Sequence, residues 1–327
     1  MDRSLYVIST KQQLLGSMVL FNRCRKEGEI LYNAFCTLED FEAFFLNRQD
    51  GVKTVCISDG EDGCFGCGCL NEEKTKGYIT FVGVRKDLRR RGLGKKLLCT
   101  LEDELEKLAG KQLECMEATF FNPMNLRWTV PGTRGHEHPN APGVDVAGSG
   151  YLFLKNCGYR DYALQNAYHL NLQGYELTAA MARKKAELKE KGIEITVYDP
   201  KRHRGLEALL IDLNNELWHK EIMETAADPQ GAPILIVDWN GKAMGFTGPM
   251  RVQENGRGYL AGVGVHSDCR GLGAGKLMFG ELCVRLKELG AGYMTLFTGE
   301  NNPARNIYEA QGFKIVRTWA DMRKQTR

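Results

Sequence analysis

Two stretches of this chain repeat each other without a gap, and no other feature of the sequence constrains the fold as much. Residues 82–97 and 263–278 align at a constant offset of 181 positions. Eight positions carry the same residue in both stretches: Val82, Gly83, Val84, Asp87, Arg89, Gly92, Gly94 and Lys95 match Val263, Gly264, Val265, Asp268, Arg270, Gly273, Gly275 and Lys276. Such self-similarity predicts two tandem copies of one structural unit.

The residues around the repeat follow the same order in both halves. Three segments with the apolar pattern of strands precede a glycine-rich loop, and leucines at helical spacing follow it. The first half has strand segments Thr54–Ser58, Cys64–Leu70 and 78–84 and a helical segment 93–109. The second half has strand segments 234–238, 243–247 and 258–265, a hairpin signal at Asn240-Gly241 and a helical segment 274–289. Each half therefore reads as strand, strand, strand, loop, helix, strand.

The length and composition agree with two folded domains. A chain of 327 residues with 43% hydrophobic and 26% charged residues can bury two cores of ordinary size. The boundary is predicted near Gly174, which gives domains 1–173 and 174–327. The charged segment 177–191 is predicted to be a solvated linker helix. A formal net charge of +3 is too balanced to indicate a nucleic-acid or membrane-surface partner.

The amino terminus and the cysteines favour a cytoplasmic protein. The first residues include the acidic Asp2 and no long apolar stretch, and no apolar run in the sequence is long enough to span a bilayer. Without an export signal, the eleven cysteines are expected to be reduced thiols.

The cysteine cluster at 64–69 has two interpretations. Cys64 and Cys67 form a C-x-x-C pair, with Cys56 as the nearest further ligand, but no second pair follows at zinc-finger spacing. Alternation along a strand predicts instead that Phe65, Cys67 and Cys69 share one buried face. We favour the buried face and expect no metal.

The two glycine loops have the composition of a phosphate-binding turn. Glycines between a strand and a helix amino terminus expose backbone N–H groups that lack a helical acceptor, and an anion can bind them. The residues suited to this role are Arg89, Gly92 and Gly94 in the first half, reinforced by Arg90, Arg91 and Lys95, and Arg270, Gly271, Gly273, Gly275 and Lys276 in the second. A Walker loop and a dinucleotide fingerprint both fail on spacing, and a turn without a ligand is the remaining alternative.

Both loops resemble the acetyl-CoA loop of the GNAT superfamily of N-acetyltransferases, Arg/Gln-x-x-Gly-x-Gly/Ala after a Val-x-Val strand. The matching residues are Arg89-x-x-Gly92-x-Gly94 and Arg270-x-x-Gly273-x-Gly275. Residues 301–313 also match the later family motif, Asn-x-x-Ala-x-x-x-Tyr-x-x-x-Gly-Phe. The resemblance implies an α/β (α+β) chain of two tandem GNAT-like domains, each with a mixed, mostly antiparallel sheet flanked by helices, and acetyl-CoA as co-substrate.

The resemblance also implies roles for individual residues. The backbone of Val263 and Val265, and by repetition that of Val82 and Val84, is expected to lie against the bound thioester. Asn301 is expected to contact the pantetheine arm or to cap a helix. Tyr308 is expected to donate a proton to the departing thiolate, with a core aromatic as the alternative.

The first half departs from the later motif. When Gly158 is aligned with Gly312, the tyrosine position falls on Leu154 and the asparagine position on Ala147. The loops lie 181 positions apart but these endings only 154, so the first half holds an insertion at about 123–149. The polar residues that could read a substrate there, or bind a metal through the two histidines, are Arg134, His136, Glu137, His138 and Asp145. An ordinary surface loop is the alternative.

These observations predict an acetyl-CoA-dependent N-acetyltransferase whose second domain carries the chemistry. The acceptor is expected to be a primary amine of a small molecule, an amino acid or a peptide. The alternative is an acyl-CoA-binding regulatory protein without turnover. The general base stays open among His266, Glu300, His219 and Glu216, and packing of the two copies as an internal pseudo-dimer would make a monomer sufficient.

Overall fold

The chain is described by a computed structural model that covers residues 3–119, 122–133, 137–138 (backbone only) and 143–326. Its α-helices are α1 (Leu14–Lys26), α2 (Leu38–Phe45), α3 (Leu93–Ala109), α4 (Ser149–Asn156), α5 (Ala179–Glu190), α6 (Leu206–Asp212), α7 (Glu216–Ala227), α8 (Ala274–Glu288) and α9 (Arg305–Ala310).

The strands of the first half of the chain are β1 (Tyr6–Val7), β2 (Thr54–Ser58), β3 (Cys64–Leu70), β4 (Lys76–Val84), β5 (Cys115–Ala118), β6 (Trp128–Thr129), β7 (Glu137–His138), β8 (Val144–Asp145) and β9 (Arg160–Asn171). Those of the second half are β10 (Ile193–Val197), β11 (Leu235–Trp239), β12 (Lys242–Gly248), β13 (Arg251–Val252), β14 (Gly258–Tyr259), β15 (Gly262–Val265), β16 (Tyr293–Gly299) and β17 (Lys314–Gln325).

Contacts between residues divide the chain into two compact units. The first unit consists of residues 1–166 and 317–327, and the second is Ala167–Val316. The last residues belong to the first unit because β17 pairs with β5, with Met322 opposite Ala118. The compact units therefore do not coincide with the predicted domains 1–173 and 174–327, which stay a prediction about the sequence repeat.

The first unit is built on a mixed sheet. Strands β1, β2, β3 and β4 are antiparallel neighbours, β5 runs parallel to β4, and β17 follows β5. Phe65, Cys67 and Cys69 pack on one face with α1 and α2, which confirms their predicted common face. On the opposite face, α3 approaches so closely that a Cβ at Gly68 would lie 2.8 Å from Leu105 Cδ1.

The second unit repeats this arrangement. Strands β10, β11, β12 and β15 form an antiparallel sheet, with the predicted hairpin turn at Asn240 and Gly241, both of which have positive φ. Residues of α8 pack on one face of the sheet, and residues of α6 and α7 pack on the other. The predicted fold class, a mostly antiparallel sheet flanked by helices in each of two copies, is confirmed.

One helix differs from its prediction. The segment 177–191 forms α5, but α5 is not only a solvated linker, because Leu188 is buried and Lys185 donates to Glu281 of α8 at 2.6 Å. Charge composition alone could not show this packing, because ten of the twelve residues of the helix are polar or alanine and the contact depends on a few of its side chains.

Candidate active site

A fork between two parallel strands opens a cleft in the first unit. β4 and β5 pair from Lys76 to Tyr78, and Tyr78 lies opposite Glu117 in the last pair of this register. Residues 79–84 of β4 continue beyond this point, and a register shift opposite Cys67 and Gly68 adds a bulge there. The strands therefore separate toward the glycine loop.

A cavity of about 580 Å³ follows the fork to the loop. Its wall includes residues 79–84, five predicted phosphate-loop residues and, from distant parts of the chain, Glu29, Tyr32, Asp145, Phe153 and Trp319. The five predicted loop residues are Arg89, Arg90, Gly92, Gly94 and Lys95. The structure therefore brings most of the predicted first-half site residues to one cavity; Arg91 is exposed on the same loop.

The loop of the first unit leaves backbone donors without helical acceptors. Gly92 has a φ of 83° and caps α3, and the N–H of Lys96 donates to Gly92 O as the first bond of the helix. The N–H groups of residues 93–95 consequently precede the helical ladder. A Cβ at Gly92 would meet nothing within 4 Å, so the space above the loop is open to a ligand.

The strand before the loop also presents backbone donors to the cleft. Across the β3–β4 pair, the N–H of Arg85 donates to Gly63 O. Because N–H groups alternate sides along a strand, those of Val82 and Val84 point away from β3, toward the open side. In the second unit His266 donates to Met244 O, so by the same alternation the N–H groups of Val263 and Val265 point away from β12.

The loop of the second unit has the same backbone geometry. Gly273 has a φ of 85° and caps α8, and the N–H of Leu277 donates to Gly273 O. Gly271 has a φ of 80°, and the matching residue in the first loop, Arg90, has a φ of 64°. Both loops thus turn through the left-handed region at the same two positions, which is the local reason for Gly92, Gly271 and Gly273, although Arg90 adopts this conformation with a side chain.

The loop arginines fold back onto the strand ends. Arg89 Nε donates to Val84 O at 2.7 Å, and Arg270 Nε donates to Val265 O at 3.3 Å. In the first unit Glu29 also pairs with both terminal nitrogens of Arg89, at 2.8 and 2.6 Å. Hydrogen bonds from Arg89 lower the pKa of the Glu29 carboxyl, so this carboxylate is charged near neutral pH.

The predicted acid Tyr308 lies on α9, which packs against the start of α8. Gln311 Nε2 donates to Lys276 O at 2.8 Å, and a Cβ at Gly275 would lie 3.7 Å from Ile307 Cδ1. Tyr308 stands between these two contacts in sequence, and its ring packs with those of Phe279 and Phe313. Burial raises the pKa of Tyr308 to about 12, so the phenol is protonated at neutral pH.

The residues around Tyr308 differ in their suitability for the predicted roles. Asn302, not Asn301, makes the local turn, since its Oδ1 accepts from the N–H of Ala304 at 3.0 Å. Asn301 is exposed, and its contact with pantetheine stays a prediction. Among the candidate bases, His266 Nδ1 accepts from the N–H of Asp268 at 3.2 Å, which occupies that nitrogen in a turn. The assignment of a base stays open.

One face of β15 in the second unit is covered by large side chains. A Cβ at Gly262 would lie 2.4 Å from Trp218, and one at Gly264 would lie 2.4 Å from Leu213. The glycines of this strand therefore permit close packing of these side chains.

The ending of the first unit carries no tyrosine at the acid position. Leu154 of α4, on which the tyrosine position of the alignment falls, is buried and lines the cavity. The nearby Tyr151 hydroxyl instead donates to Asp161 and accepts from Lys155. Tyr151 is not among the residues that line the cavity.

The insertion is partly built into the first unit. Met124, Leu126 and Trp128 are buried, and Trp128 packs edge-on against Trp319 with ring centres 5.0 Å apart. Asp145 lines the cavity. Arg134 and His136 lie outside the described residues, and Glu137 and His138 are described by backbone alone, so their predicted roles stay predictions.

Sequence reasoning missed three residues near the loops. Glu29 and Trp319 lie far from the motif in sequence, and only the fold brings them to the cavity. In the second unit the side chain of Lys184 on α5 lies against the loop, with its Cδ 3.5 Å from a Cβ placed at Gly273. No local pattern marks these residues, although the basic character of α5 was visible.

Two general features concern metals and membranes. Within the described ranges, no group of three or more His, Cys, Asp or Glu side chains could hold a metal ion. No helix in the part of the chain that the structure describes is both long and apolar enough to cross a membrane.

Comparison with known proteins agrees with the geometry. The model of the acetyltransferase (GNAT) family matches residues 20–126 and again 203–313, together more than half of the chain. No curated protein is similar enough in sequence to match.

Several solved structures share the fold. A fungal multi-domain GH3 β-N-acetylglucosaminidase with a GCN5-related glucosamine N-acetyltransferase region superposes with a TM-score of 0.59 at 15% identity over 99% of this chain, which spans only 38% of that protein. A GCN5-related N-acetyltransferase from Sphaerobacter thermophilus gives 0.57 at 15% identity, over 98% of this chain and 95% of that one. A tandem GNAT protein from the clavulanic acid biosynthesis pathway gives 0.53 at 14% identity, over 99% of this chain and 98% of that one.

At such low identities these likenesses concern the fold, while the twofold family match covers both loops and the motif around Tyr308. The chain belongs to the GNAT family of acetyltransferases, as a tandem member and an acetyl-CoA-dependent acyltransferase.

Proposed function

We propose that this protein transfers an acetyl group from acetyl-CoA to a primary amine of a small molecule, an amino acid or a peptide, and that the second unit carries the chemistry. The observation that carries the proposal is the place of Tyr308. It lies on a helix tied to the first turn of α8, and it is protonated at neutral pH. A cytoplasmic location and a monomeric chain belong to the same proposal.

The second loop supplies the binding groups for the donor. The N–H groups of residues 274–276, together with Arg270 and Lys276, would hold the phosphates at the helix amino terminus. A Cβ at Gly271 would meet nothing within 4 Å, so this glycine leaves the approach to the loop open, while Gly273 and Gly275 would complete the loop. Asn301 would contact the pantetheine arm.

Acetyl-CoA supplies the acetyl group as a thioester, which the neutral amine attacks directly. The N–H groups of Val263 and Val265 would stabilise negative charge on the carbonyl oxygen, because they point to the open side of β15. Tyr308 would then donate its hydroxyl proton to the departing sulfur. The base that removes the proton from the amine is unassigned.

The first unit offers a second donor site. Val82, Val84, Arg89, Gly92, Gly94 and Lys95 repeat the binding groups of the second unit, and the 580 Å³ cavity that they line has a volume suited to a ligand. Arg91, which matches Leu272, would add a positive charge on the same loop. With Leu154 in place of a tyrosine, this unit would bind CoA without the proton donor that the second unit has.

The test is release of free thiol from acetyl-CoA in the presence of pooled amines, amino acids and short peptides. Wild type should show acceptor-dependent release, and Tyr308→Phe should lower the rate by about 100-fold or more, because a positioned acid contributes roughly 10²–10⁴ to a rate. The matched control is Tyr151→Phe, a tyrosine of the corresponding helix in the first unit, which should release thiol at the wild-type rate. An unchanged rate in Tyr308→Phe would remove this residue from the mechanism.

A further inference from the structure

The arginine of the first loop is already occupied by the protein's own carboxylate. All three guanidinium nitrogens of Arg89 have partners: Nε bonds to Val84 O, and the two terminal nitrogens bond to the two oxygens of Glu29. This two-bond pairing is the geometry in which arginine binds carboxylates and phosphates most strongly. A phosphate that reached the same nitrogens would have to compete with Glu29.

The matching arginine of the second loop is not held in this way. Arg270 keeps the equivalent bond to the strand end, from Nε to Val265 O, and its side chain is exposed. Among the residues that the structure describes, no carboxylate is paired with Arg270. The two loops therefore share a backbone conformation but differ at the arginine: in the described part of the chain, Arg89 is paired with a carboxylate and Arg270 is not.

Glu29 faces the ligand space and is not a remote surface residue. Glu29 and Arg89 both line the 580 Å³ cavity, and the Glu29 side chain is 21% exposed. Lys86 lies 3.5 Å from Glu29 and 2.8 Å from Glu27, so the second cation near Glu29 is shared with another carboxylate. A negative charge thus stands in the cavity at the end where the phosphates of a donor would bind.

We propose that Glu29 is a specificity-determining residue of the first unit, which weakens the binding of diphosphate-bearing ligands, CoA included, by occupying Arg89 and repelling their charge. The proposal rests on the proposed function, because it takes the first loop as a CoA phosphate site. Its consequence is that the two units hold CoA with different affinities, with the first unit the weaker.

The affinity of the first unit for CoA is expected to depend on the negative charge of the Glu29 side chain. A carboxylate a few ångströms from a diphosphate is repelled by it, in surroundings that water and salt only partly screen. Glu29→Gln keeps the size of the side chain and one acceptor for Arg89 but removes the negative charge. The gain in affinity should therefore appear for charged ligands alone, and it should shrink as salt is added.

The experiment uses the full chain labelled with 5-fluorotryptophan. Trp319 lines the first cavity, so its ¹⁹F resonance, assigned with Trp319→Phe, reports ligand binding there separately from Trp218 and Trp239 of the second unit. CoA is the charged probe and pantetheine, which has no phosphate, is the neutral one. Glu27→Gln is the matched control, because Glu27 carries the same charge and contacts Lys86 but does not line the cavity.

Glu29→Gln should raise the affinity for CoA, measured at Trp319, about tenfold at low salt. Its affinity for pantetheine should stay within about twofold of the wild-type value, and most of the gain for CoA should disappear at high salt. Glu27→Gln should change neither affinity by more than twofold. Weaker or unchanged CoA binding in Glu29→Gln, or an equal gain for pantetheine, would overturn the inference alone. No response to CoA at any tryptophan in any variant would overturn the proposed function and the inference together.

Discussion

The two units share a loop and differ in what surrounds it. Each has a helix capped by a glycine in the left-handed region and an arginine bonded to the strand end. The first unit combines this loop with a 580 Å³ cavity, an arginine paired with Glu29 and a leucine at the acid position. The second combines it with Tyr308 and with a strand face on which Trp218 packs closely.

The two units therefore share the backbone of the glycine loop without sharing the tyrosine of the later motif. The loop depends on backbone conformation, which a few glycines specify and which duplication preserves. The proposed proton donor is one side chain of a later helix, Tyr308, and the matching position of the first unit holds Leu154. In the proposed function the loop alone would serve to bind CoA, whereas acetyl transfer would need both the loop and Tyr308.

The largest effect is expected from a change in the packing by which β15 of the second unit differs from β4 of the first. Gly262 matches Phe81 of the first unit, and a Cβ at Gly262 would lie 2.4 Å from Trp218. Gly262→Val should lower the free energy of unfolding by about 2 kcal/mol, because the core there has no space for added methyl groups. Urea unfolding measures this change.

Two variants make that result specific. The double variant Gly262→Val with Trp218→Ala should lose less free energy of unfolding than the two single variants together. Trp218→Ala removes the side chain with which the new valine clashes. Gly292→Ala, at a glycine of the same unit with open space around it, should change the free energy of unfolding by no more than about 0.5 kcal/mol. Strict additivity would show that Trp218 does not fill the space beside Gly262.

A smaller effect compares the two loops at one matched position. Gly271 and Arg90 both have positive φ, but only Arg90 carries a side chain there. Gly271→Ala should lower the free energy of unfolding by about 1 kcal/mol, whereas Arg90→Ala should change it by less than about 0.5 kcal/mol, because the backbone strain is already present. Equal effects in thermal unfolding would contradict the matched geometry of the loops.

The smallest expected effect concerns the pH dependence of the rate of acetyl transfer. The pKa of Tyr308 is raised to about 12, so its protonated form persists well above neutral pH and is lost only as pH rises toward that value. The rate of acetyl transfer should therefore not fall between about pH 8 and 10. A fall in that range that disappears in Tyr308→Phe would mean that this hydroxyl ionises near its ordinary pKa.

Much of the fold followed from the sequence because duplication made its signals redundant. The loops, the helices 93–109 and 274–289 and the hairpin at Asn240-Gly241 depend on local preferences of glycine, asparagine and leucine, and the structure has each of them within a residue or two. The buried face of Phe65, Cys67 and Cys69 followed from simple alternation.

The remaining features depend on contacts between residues distant in sequence. The pairing of β17 with β5 places the last residues in the first unit, and it brings Trp319 to a cavity whose loop lies more than 200 positions earlier. Glu29 reaches Arg89 in the same way, and Lys184 reaches the second loop from a helix whose composition indicated only solvent. Local pattern carries no information about such pairs.

The most direct test of the account places the same charge in each loop. Gly92→Asp and Gly273→Asp each put a carboxylate where a phosphate would bind, at matched positions with matched positive φ. Calorimetry of CoA binding should give two sites in wild type and one in each variant, and thiol release should be lost in Gly273→Asp but retained in Gly92→Asp. Loss of turnover in Gly92→Asp with full activity in Gly273→Asp would place the chemistry in the first unit and contradict the account.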